Sequence, residues 1–285
     1  MAATYNTLYL DARRALKAAG SDNAQLEAQE LLSFAAKKTK QELFRDMALY
    51  ASPTVAEQFE TLMKRRLAGE PVAYLVGEWD FYGLSLDISP DVLVPRDDTE
   101  ILARQAIGRV QGYSGEVRVL DLCAGSGCVG LAIAKNCPDA KVLLGDISEG
   151  ALRLCRQNTR RNGLTAQVSS CQVDALEKPS AALWDFDVIA ANPPYIPTGD
   201  LDALEVAKFE PRLALDGGAD GLDFYRAITE KWVSTLRPGG WLLCEVGIGQ
   251  VGKVEELFAR CGLREIQSYQ DTGDIWRVVE GRLER

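Results

Sequence analysis

Apolar side chains recur at helical spacing in the first part of the chain. Residues 5–19, 24–38 and 54–68 place Leu, Ala, Val and Phe three and four positions apart, with few turn residues between them. Ser52-Pro53-Thr54 has the composition of a helix start. The pattern predicts a small helical domain over residues 1–70.

The pattern changes at Pro71. Residues 73–76 and 79–86 are rich in aromatic and branched side chains, and the second stretch alternates around Gly83. These features predict extended chain and a short β-hairpin. We therefore assign residues 71–90 to a hairpin linker between two domains.

From Val117 onward, short apolar runs alternate with helical patterns. This alternation is typical of a doubly wound α/β sheet, in which parallel strands carry helices on both faces. Two last apolar stretches, residues 263–269 and 274–280, are strand-like and predict a closing hairpin. Residues 91–285 are thus expected to form one larger domain. The predicted strands are VRVLDL, KVLLGD, AQVSSCQV, DFDVIAAN and WLLCEV, and the predicted helices begin near residues 128, 149, 221 and 250.

Composition removes several kinds of chemistry. The chain has no histidine, and its seven cysteines form no C-x-x-C pair, so we expect no metal site and no catalysis by a Ser-His or Cys-His pair. No apolar run approaches about 18 residues, and the start lacks a signal-peptide pattern. We expect a cytoplasmic protein that does not enter a membrane.

Charge is unevenly distributed along the chain. The formal net charge is −9; residues 1–70 hold ten Lys or Arg and nine Asp or Glu (+1), which leaves 22 and 32 (−10) for the remainder. This balance argues against stable DNA binding by the larger domain. The nearly neutral first domain is either a solvated helical surface or a surface for RNA or a basic partner.

A glycine-rich segment, VLDLCAGSGCVG at residues 119–130, follows the first predicted strand of the sheet. Glycines there allow the backbone to approach a ligand at the carboxyl edge, where open α/β sheets bind nucleotides. Gly125, Gly127 and Gly130 also fit the G-x-G-x-x-G spacing of dinucleotide-binding proteins. The segment alone does not identify the ligand.

Three aspartates at the ends of predicted strands narrow the choice of ligand. Asp121 precedes the glycines, where its charge would repel a pyrophosphate but suits a ligand with an amino group and a sulfonium. Asp146 ends the next predicted strand and can accept hydrogen bonds from ribose hydroxyls, as it would in an NAD site. Asp174 is either a partner of an adenine amino group or a helix N-cap. Together they favour S-adenosylmethionine.

The segment Asn192-Pro193-Pro194-Tyr195 follows the apolar strand 186–191. An amide or amino nitrogen is a poor nucleophile because its lone pair is delocalised. The Asn192 side-chain oxygen and the Pro193 carbonyl can accept both N–H bonds and direct the lone pair at a donor methyl. The prolines stiffen the turn, and Tyr195 offers a flat surface for stacking. The segment predicts methylation of a planar nitrogen without a general base.

These segments are similar to the HemK/PrmC family, the release factor glutamine methyltransferases. The resemblance rests on the helical start and, in the family's order, on PVAYLVGEWDFYGLSL, VLVPRDDTE, VLDLCAGSGCVGLA, NPPYI and FEPRLALDGGADGLDFYR. It implies a class I (Rossmann-like) methyltransferase fold with a small N-terminal helical domain for substrate recognition. It also implies S-adenosylmethionine-dependent methylation of the Gly-Gly-Gln glutamine in release factors, which act in translation termination.

The motifs and the resemblance give one set of candidate site residues. Carried over by position, residues 123–127 form the donor loop, Asp146 binds the ribose, and Asp174 and Ala175 border the adenine. The candidate cofactor-binding residues are Asp121, Cys123, Ala124, Gly125, Ser126, Gly127, Asp146, Asp174, Ala175, Phe81 and Asn192. The candidate catalytic residues are Asn192, Pro193, Pro194 and Tyr195.

The sequence alone does not decide the roles of two loops. The family usually reads Pro-Arg-Pro-Glu-Thr-Glu where this chain has PRDDTE at residues 95–100, so we expect a looser loop and leave Asp97 and Asp98 without a role. The segment is either a helix start or a border of the active site. The glycines at residues 217–221 indicate either a loop that closes over substrate or a plain connection.

Two alternatives remain at this point. An adenine or guanine amino methyltransferase would need the same planar-nitrogen site together with a basic groove. A non-catalytic binding module would keep the fold without turnover. The resemblance favours a release factor as the protein substrate, either free or on the ribosome, and we expect the enzyme to be a monomer.

Overall fold

The protein was analysed as a computed structural model that describes residues 3–284. The chain divides into two compact units, one ending at Glu78 and one beginning at Trp79. The seven cysteines are free thiols, four of them buried. Within the described residues, no helix is long and apolar enough to cross a membrane.

The first unit is a small helical bundle. Its helices are α1 (Tyr5–Ala18), α2 (Ala24–Ala36), α3 (Lys40–Arg45), α4 (Pro53–Leu67) and α5 (Val72–Val76). Helix α2 contacts each of the other four helices and buries Ala28, Leu31 and Leu32 completely. Ser52 caps α4 by accepting a hydrogen bond from the Val55 amide, and Pro53 follows as the first helical residue. The predicted helix start at this position is confirmed.

One expectation about this part of the chain is wrong. Residues 73–76 were expected to be extended, but they lie in helix α5, which Gly77 ends with a left-handed conformation. Val72, Ala73 and Leu75 are buried, and α5 packs against α2 and α4. Tertiary packing therefore overrides the β-propensity of these side chains. The hairpin itself is present just after it, as strands β1 (Glu78–Phe81) and β2 (Leu84–Asp87).

The second unit contains a seven-stranded sheet with helices on both faces. Its strands are β3 (Val117–Leu122), β4 (Ala140–Asp146), β5 (Val168–Gln172), β6 (Phe186–Ala191), β7 (Leu236–Glu245), β8 (Leu263–Gln270) and β9 (Trp276–Leu283). Its α-helices are α6 (Thr99–Gln111), α7 (Cys128–Asn136), α8 (Glu149–Arg161), α9 (Asp223–Ala227) and α10 (Val251–Arg260).

The order of strands identifies the kind of doubly wound sheet. The order is β5-β4-β3-β6-β7-β9-β8, in which β3 to β7 are parallel and β9 is antiparallel to both of its neighbours. The predicted α/β class and the closing hairpin are confirmed. An antiparallel strand inserted beside β7 distinguishes this sheet from the all-parallel sheet of dinucleotide-binding proteins.

Strand register brings the motifs to one edge. Leu122, the last residue of β3, is level with Gly145 on one side and with Ala191 on the other. All six residues of β6 are buried, as expected for a central parallel strand. The glycine-rich segment, Asp146 and Asn192 therefore follow neighbouring strand ends and lie at the same carboxyl edge.

The helix predicted from residue 221 is irregular. Helix α9 passes into a π-helical turn at Ile228–Trp232 and a 3-10 turn at Val233–Thr235. The Trp232 ring is completely buried, and its Nε1 donates a hydrogen bond to the Ala175 carbonyl at 3.0 Å. The irregular turn thus accompanies a large side chain that fixes the loop after β5.

Replacing Gly130 by Ala is expected to destabilise the second unit. A Cβ there would lie 2.3 Å from the Leu144 Cδ2 and 3.0 Å from the Asp121 Oδ2. We expect a loss of about 1–3 kcal/mol in the free energy of unfolding, measured by urea denaturation.

Gly108→Ala is the matched control, because nothing lies within 4 Å of the added methyl group in helix α6. It should stabilise the protein by about 0.5–1 kcal/mol through helix propensity. Equal effects of the two substitutions would contradict the close packing at Gly130.

Candidate active site

A sharp turn between β3 and α7 forms one wall of the site. Cys123, Gly125 and Gly127 all have positive φ, at 64°, 56° and 82°. A non-glycine residue in the left-handed region is uncommon, so Cys123 is held there by its surroundings. The following amide, that of Ala124, donates a hydrogen bond to the Gly145 carbonyl at 3.0 Å, which ties the turn to β4.

Asp146 ends β4 beside this turn. Its Oδ2 accepts a hydrogen bond from the Gly125 amide and its Oδ1 accepts one from the Ser148 amide, both at 2.8 Å. Burial raises the pKa of the carboxyl group, while these backbone donors lower it. Each carboxylate oxygen keeps a further lone pair, so Asp146 can still accept hydrogen bonds from two hydroxyl groups.

Asp121 is a buried acid beneath the same turn. It is 1% exposed, and its Oδ2 accepts a hydrogen bond from the Gly130 amide at 2.7 Å. Burial, together with the charge of Asp146, raises the pKa of this carboxyl group to about 7 although the Gly130 amide lowers it. A buried carboxylate of this kind is stabilised by a nearby cation.

Asp174 and Ala175 lie after β5 at the far end of the same wall. The Asp174 Oδ1 accepts a hydrogen bond from the Leu176 amide at 2.8 Å and thereby closes a short turn. No helix begins between Asp174 and β6 in the described chain, so the alternative interpretation of Asp174 as a helix N-cap is wrong. Its second carboxylate oxygen is available to a ligand.

These walls enclose a cavity of about 300 Å³, which is within the size range of small-molecule sites. Asp121, Asp146 and Asp174 line it, together with the turn between β3 and α7 and Asn192. Of the candidate residues, the cavity is lined by Asp121, Cys123, Ala124, Gly125, Ser126, Asp146, Asp174, Ala175, Asn192 and Pro194. Gly127, Phe81, Pro193 and Tyr195 lie outside that lining.

The lining fits S-adenosylmethionine. A carboxylate with free lone pairs at the end of β4 suits a ribose, a buried acid suits the positive charge, and Asp174 suits an adenine amino group. Within the described residues there is no cluster of three or more acidic or cysteine side chains that could hold a metal ion.

Asn192 follows β6 and faces this cavity. Its Nδ2 donates a hydrogen bond to the Thr99 Oγ1 at 3.2 Å. Among residues 3–284, no donor reaches the Asn192 Oδ1 or the Pro193 carbonyl oxygen. Two acceptors on adjacent residues are therefore available for the two N–H bonds of one planar nitrogen.

The turn that carries these acceptors is braced from the side of Tyr195. The Gln250 Nε2 donates hydrogen bonds to the Tyr195 carbonyl at 2.9 Å and to the Gly221 carbonyl at 3.2 Å. A Cβ on Gly217 would lie 2.7 Å from the Tyr195 Cα, and one on Gly221 would lie 2.3 Å from the Tyr195 carbonyl oxygen. The loop glycines are therefore required for close backbone contact with the turn.

The Tyr195 side chain is packed against the hydrophobic core. Burial raises the pKa of its phenol to about 12, so the hydroxyl stays protonated at neutral pH. Tyr195 is consequently a neutral aromatic side chain beside the acceptors.

The altered segment 95–100 is held by specific contacts. Arg96 pairs with Glu210, a buried acid that also accepts a hydrogen bond from the Val94 amide. Asp98 pairs with Arg277 of β9 at 2.8 Å. Helix α6 begins at Thr99, and Pro95 and Thr99 also line the cavity, so the segment is both a helix start and a border of the site. The expectation of a looser loop stays a prediction.

Sequence reasoning missed three residues around the site. Gln250 braces the turn, and Glu245, at the end of β7, contacts Thr99 and Asn192. Asn158 is completely buried, and its Nδ2 donates a hydrogen bond to the Ser126 carbonyl at 3.0 Å, which holds the turn between β3 and α7. Glu245 and Gln250 are single polar residues among apolar and glycine residues, and this was the available signal. Asn158 lies among other polar residues of α8, so no such signal marks it in the sequence.

Comparison with known proteins places this site in a family. Residues 7–77 match the PrmC N-terminal domain, and residues 103–208 match the methyltransferase small domain. The release factor glutamine methyltransferase of Geobacter sulfurreducens is 41% identical over 93% of this chain and 91% of its own length. The chain belongs to the release factor glutamine methyltransferase family. Members of this family take the methyl group from S-adenosylmethionine.

Two further relatives agree with this family and fold. The Moorella thermoacetica release factor glutamine methyltransferase is 39% identical over 88% of each chain. A methyltransferase from Pyrococcus furiosus is similar in fold, with a TM-score of 0.52 and 17% identity over 79% of this chain and all of that one.

We expect the affinity for S-adenosylmethionine to rise between pH 6 and pH 7.5. The raised pKa of Asp121 means that its carboxylate forms in this range, and the charge attracts the cationic donor. Asp121→Asn should weaken binding about tenfold at pH 7.5, which is roughly 1.4 kcal/mol, and should flatten the pH dependence. Isothermal titration calorimetry without acceptor measures both effects.

Asp139→Asn, an exposed substitution, is the control and should keep the pH dependence of the unmodified protein. An Asp121→Asn variant with an unchanged pH slope would show that another group governs donor binding.

Proposed function

We propose that this enzyme transfers a methyl group from S-adenosylmethionine to the glutamine side-chain nitrogen of the Gly-Gly-Gln motif in peptide chain release factors. Its membership of the family supports the substrate. The observation that carries the chemistry is the pair of free acceptors at Asn192 and Pro193, beside a cavity that suits the donor. That pairing matches a primary amide, which has two N–H bonds in one plane.

The donor is held along the carboxyl edge of the sheet. Asp146 would hold the ribose of S-adenosylmethionine, and Asp174 would bind its adenine. Asp121 would stabilise the positively charged part of the same molecule. When bound, S-adenosylmethionine supplies a methyl group on a positively charged sulfur, which leaves with the bond electrons as S-adenosylhomocysteine. The turn at residues 123–127 brings backbone close to the ligand because its glycines lack side chains.

The acceptor nitrogen is oriented by the turn after β6. The Asn192 Oδ1 and the Pro193 carbonyl accept the two N–H bonds, which turns the lone pair of the nitrogen toward the methyl group. Tyr195, whose phenol stays neutral, provides an aromatic surface beside the amide. After the N–C bond forms, one N–H proton leaves to water, so the residues need only to position and desolvate the amide.

We assign recognition of the release factor to residues 1–70 and catalysis to residues 91–285, with the hairpin segment 71–90 between them. The first part has a net charge of +1 against −10 for the remainder, and it exposes the large apolar side chains of Phe44 and Tyr50. Such a surface suits a protein partner. We further propose that the enzyme is a cytoplasmic monomer that acts on free or ribosome-bound release factor.

The function is tested with isotopically labelled donor and three substrates: release factor, DNA and RNA. Label is expected in release factor, and mass spectrometry should place it on the Gly-Gly-Gln glutamine. Label in nucleic acid and none in release factor would instead support an amino methyltransferase of bases.

Asn192→Ala removes one of the two acceptors. At saturating donor it should raise the activation barrier by about 2–4 kcal/mol, a loss of roughly 30- to 1000-fold in turnover. Asn136→Ala, at an exposed helical position, is the matched control and should retain full turnover. Undiminished turnover in Asn192→Ala would contradict the role of this turn.

A further inference from the structure

Glu245 is a buried acid that the proposed reaction does not use. It is the last residue of β7 and is 3% exposed, and it does not line the donor cavity. Its Oε2 has no hydrogen-bond partner among residues 3–284. An acid that is buried and only partly paired is costly for folding, so its place beside the active site requires an explanation.

The neighbours of Glu245 lead directly to the acceptor turn. Glu245 follows Cys244, which pairs with Ala191 across β7 and β6, so Glu245 lies beside Asn192. The side chains of Thr99 and Asn192 lower the pKa of the Glu245 carboxyl group as hydrogen-bond donors would. Thr99 is 2% exposed, and its Oγ1 accepts a hydrogen bond from the Asn192 Nδ2 at 3.2 Å. Glu245, Thr99 and Asn192 therefore form one buried polar cluster that ends at the cavity.

A carboxylate in this position distinguishes the two orientations of the Asn192 amide. With Nδ2 toward Thr99 and Glu245, the amide gives both of its N–H bonds to acceptors. In the flipped orientation, Oδ1 would face a carboxylate, and Nδ2 would face the cavity. An N–H group that faces the cavity cannot accept a hydrogen bond from the N–H bonds of a substrate amide.

We propose that Glu245 is a positioning residue that fixes the orientation of the Asn192 side chain, so that Oδ1 is the atom presented to the substrate nitrogen. The proposal rests on the proposed function for its catalytic consequence. Thr99 shares the task by accepting one Nδ2 hydrogen and directing its own hydroxyl at Glu245. Glu245 does not touch the substrate or the donor.

The orientation depends on the ionisation of Glu245. Burial raises the pKa of its carboxyl group to about 7 even though the side chains of Thr99 and Asn192 lower it. Protonated Glu245 can donate a hydrogen bond, which removes the penalty on the flipped amide, so turnover should fall as the pH falls below about 7. The other titratable groups that act on or face this carboxyl group are Asp98, Arg277, Tyr195, Tyr225 and Cys128.

The kinetic test compares the pH profiles of Glu245→Gln and the unmodified enzyme. The isosteric variant should lower kcat about 10- to 100-fold at pH 8, as the loss of a supporting hydrogen-bond partner typically does. It should also abolish the acid limb of kcat near pH 7 while the Kd for S-adenosylmethionine stays the same. Glu256→Gln, at an exposed position of α10, is the matched control and should keep the whole profile.

Thr99 supplies a second, independent variant. Thr99→Val removes the hydroxyl at nearly constant shape and should lower kcat, and its effect combined with Glu245→Gln should be less than additive because both act on one amide. Thr99→Ser retains the hydroxyl and should keep both the kcat and the acid limb of the unmodified enzyme. A Glu245→Gln enzyme with unchanged kcat and an unchanged acid limb overturns the proposal.

A measurement without turnover separates this proposal from the proposed function. In ¹⁵N NMR spectra, the Asn192 side-chain NH₂ signals, assigned through Asn192→Ala, should shift with a midpoint near pH 7, and Glu245→Gln should abolish that shift. If the shift is seen but release factor is not methylated, the proposed function fails and the hydrogen-bonded cluster stands. If the NH₂ signals do not respond to pH, the positioning role is overturned even in an active enzyme.

Discussion

The site depends on the fixed position of two oxygen atoms, the Asn192 Oδ1 and the Pro193 carbonyl oxygen. An amide nitrogen becomes a usable nucleophile only when both of its N–H bonds are held and its lone pair has one direction. The backbone of the turn is fixed from behind by Gln250 and by the close approach of Gly217 to Tyr195. Rigidity in this turn is therefore the contribution of the protein to the chemistry.

Two buried acids give the site its electrostatic character. Asp121 and Glu245 both have a pKa raised to about 7 by burial, yet they act on different partners. Asp121 lines the donor cavity, whereas Glu245 does not line it and acts on Asn192 and Thr99, which do. Both raised pKa values make the folded protein more stable at lower pH, because each group binds its proton more tightly when folded, and this stability is lost as the pH rises through about 7. Ionisation of these two carboxyl groups, which the site requires, therefore lowers the stability of the folded protein.

Much of the fold could be predicted because buried parallel strands leave continuous apolar runs, as in β6, and because the two last apolar stretches have the composition of strands. The residues that line the cavity at the strand ends could be predicted because they immediately follow those strands. Helix α5 could not, since its five residues take their conformation from packing. The contacts of Gln250 with Tyr195 and of Asn192 with Thr99 join residues 55 and 93 positions apart, and no local pattern records such pairs. The role of Glu245 could not be predicted for the same reason, because Thr99 is far from it in the sequence.

A crystal structure with S-adenosylhomocysteine and a Gly-Gly-Gln peptide tests the central claim most directly. It should place the glutamine Nε2 about 3 Å from both the Asn192 Oδ1 and the Pro193 carbonyl oxygen, with the amide plane beside Tyr195. A glutamine nitrogen bound away from these two oxygens, or an Asn192 that presents Nδ2 to the substrate, would contradict it.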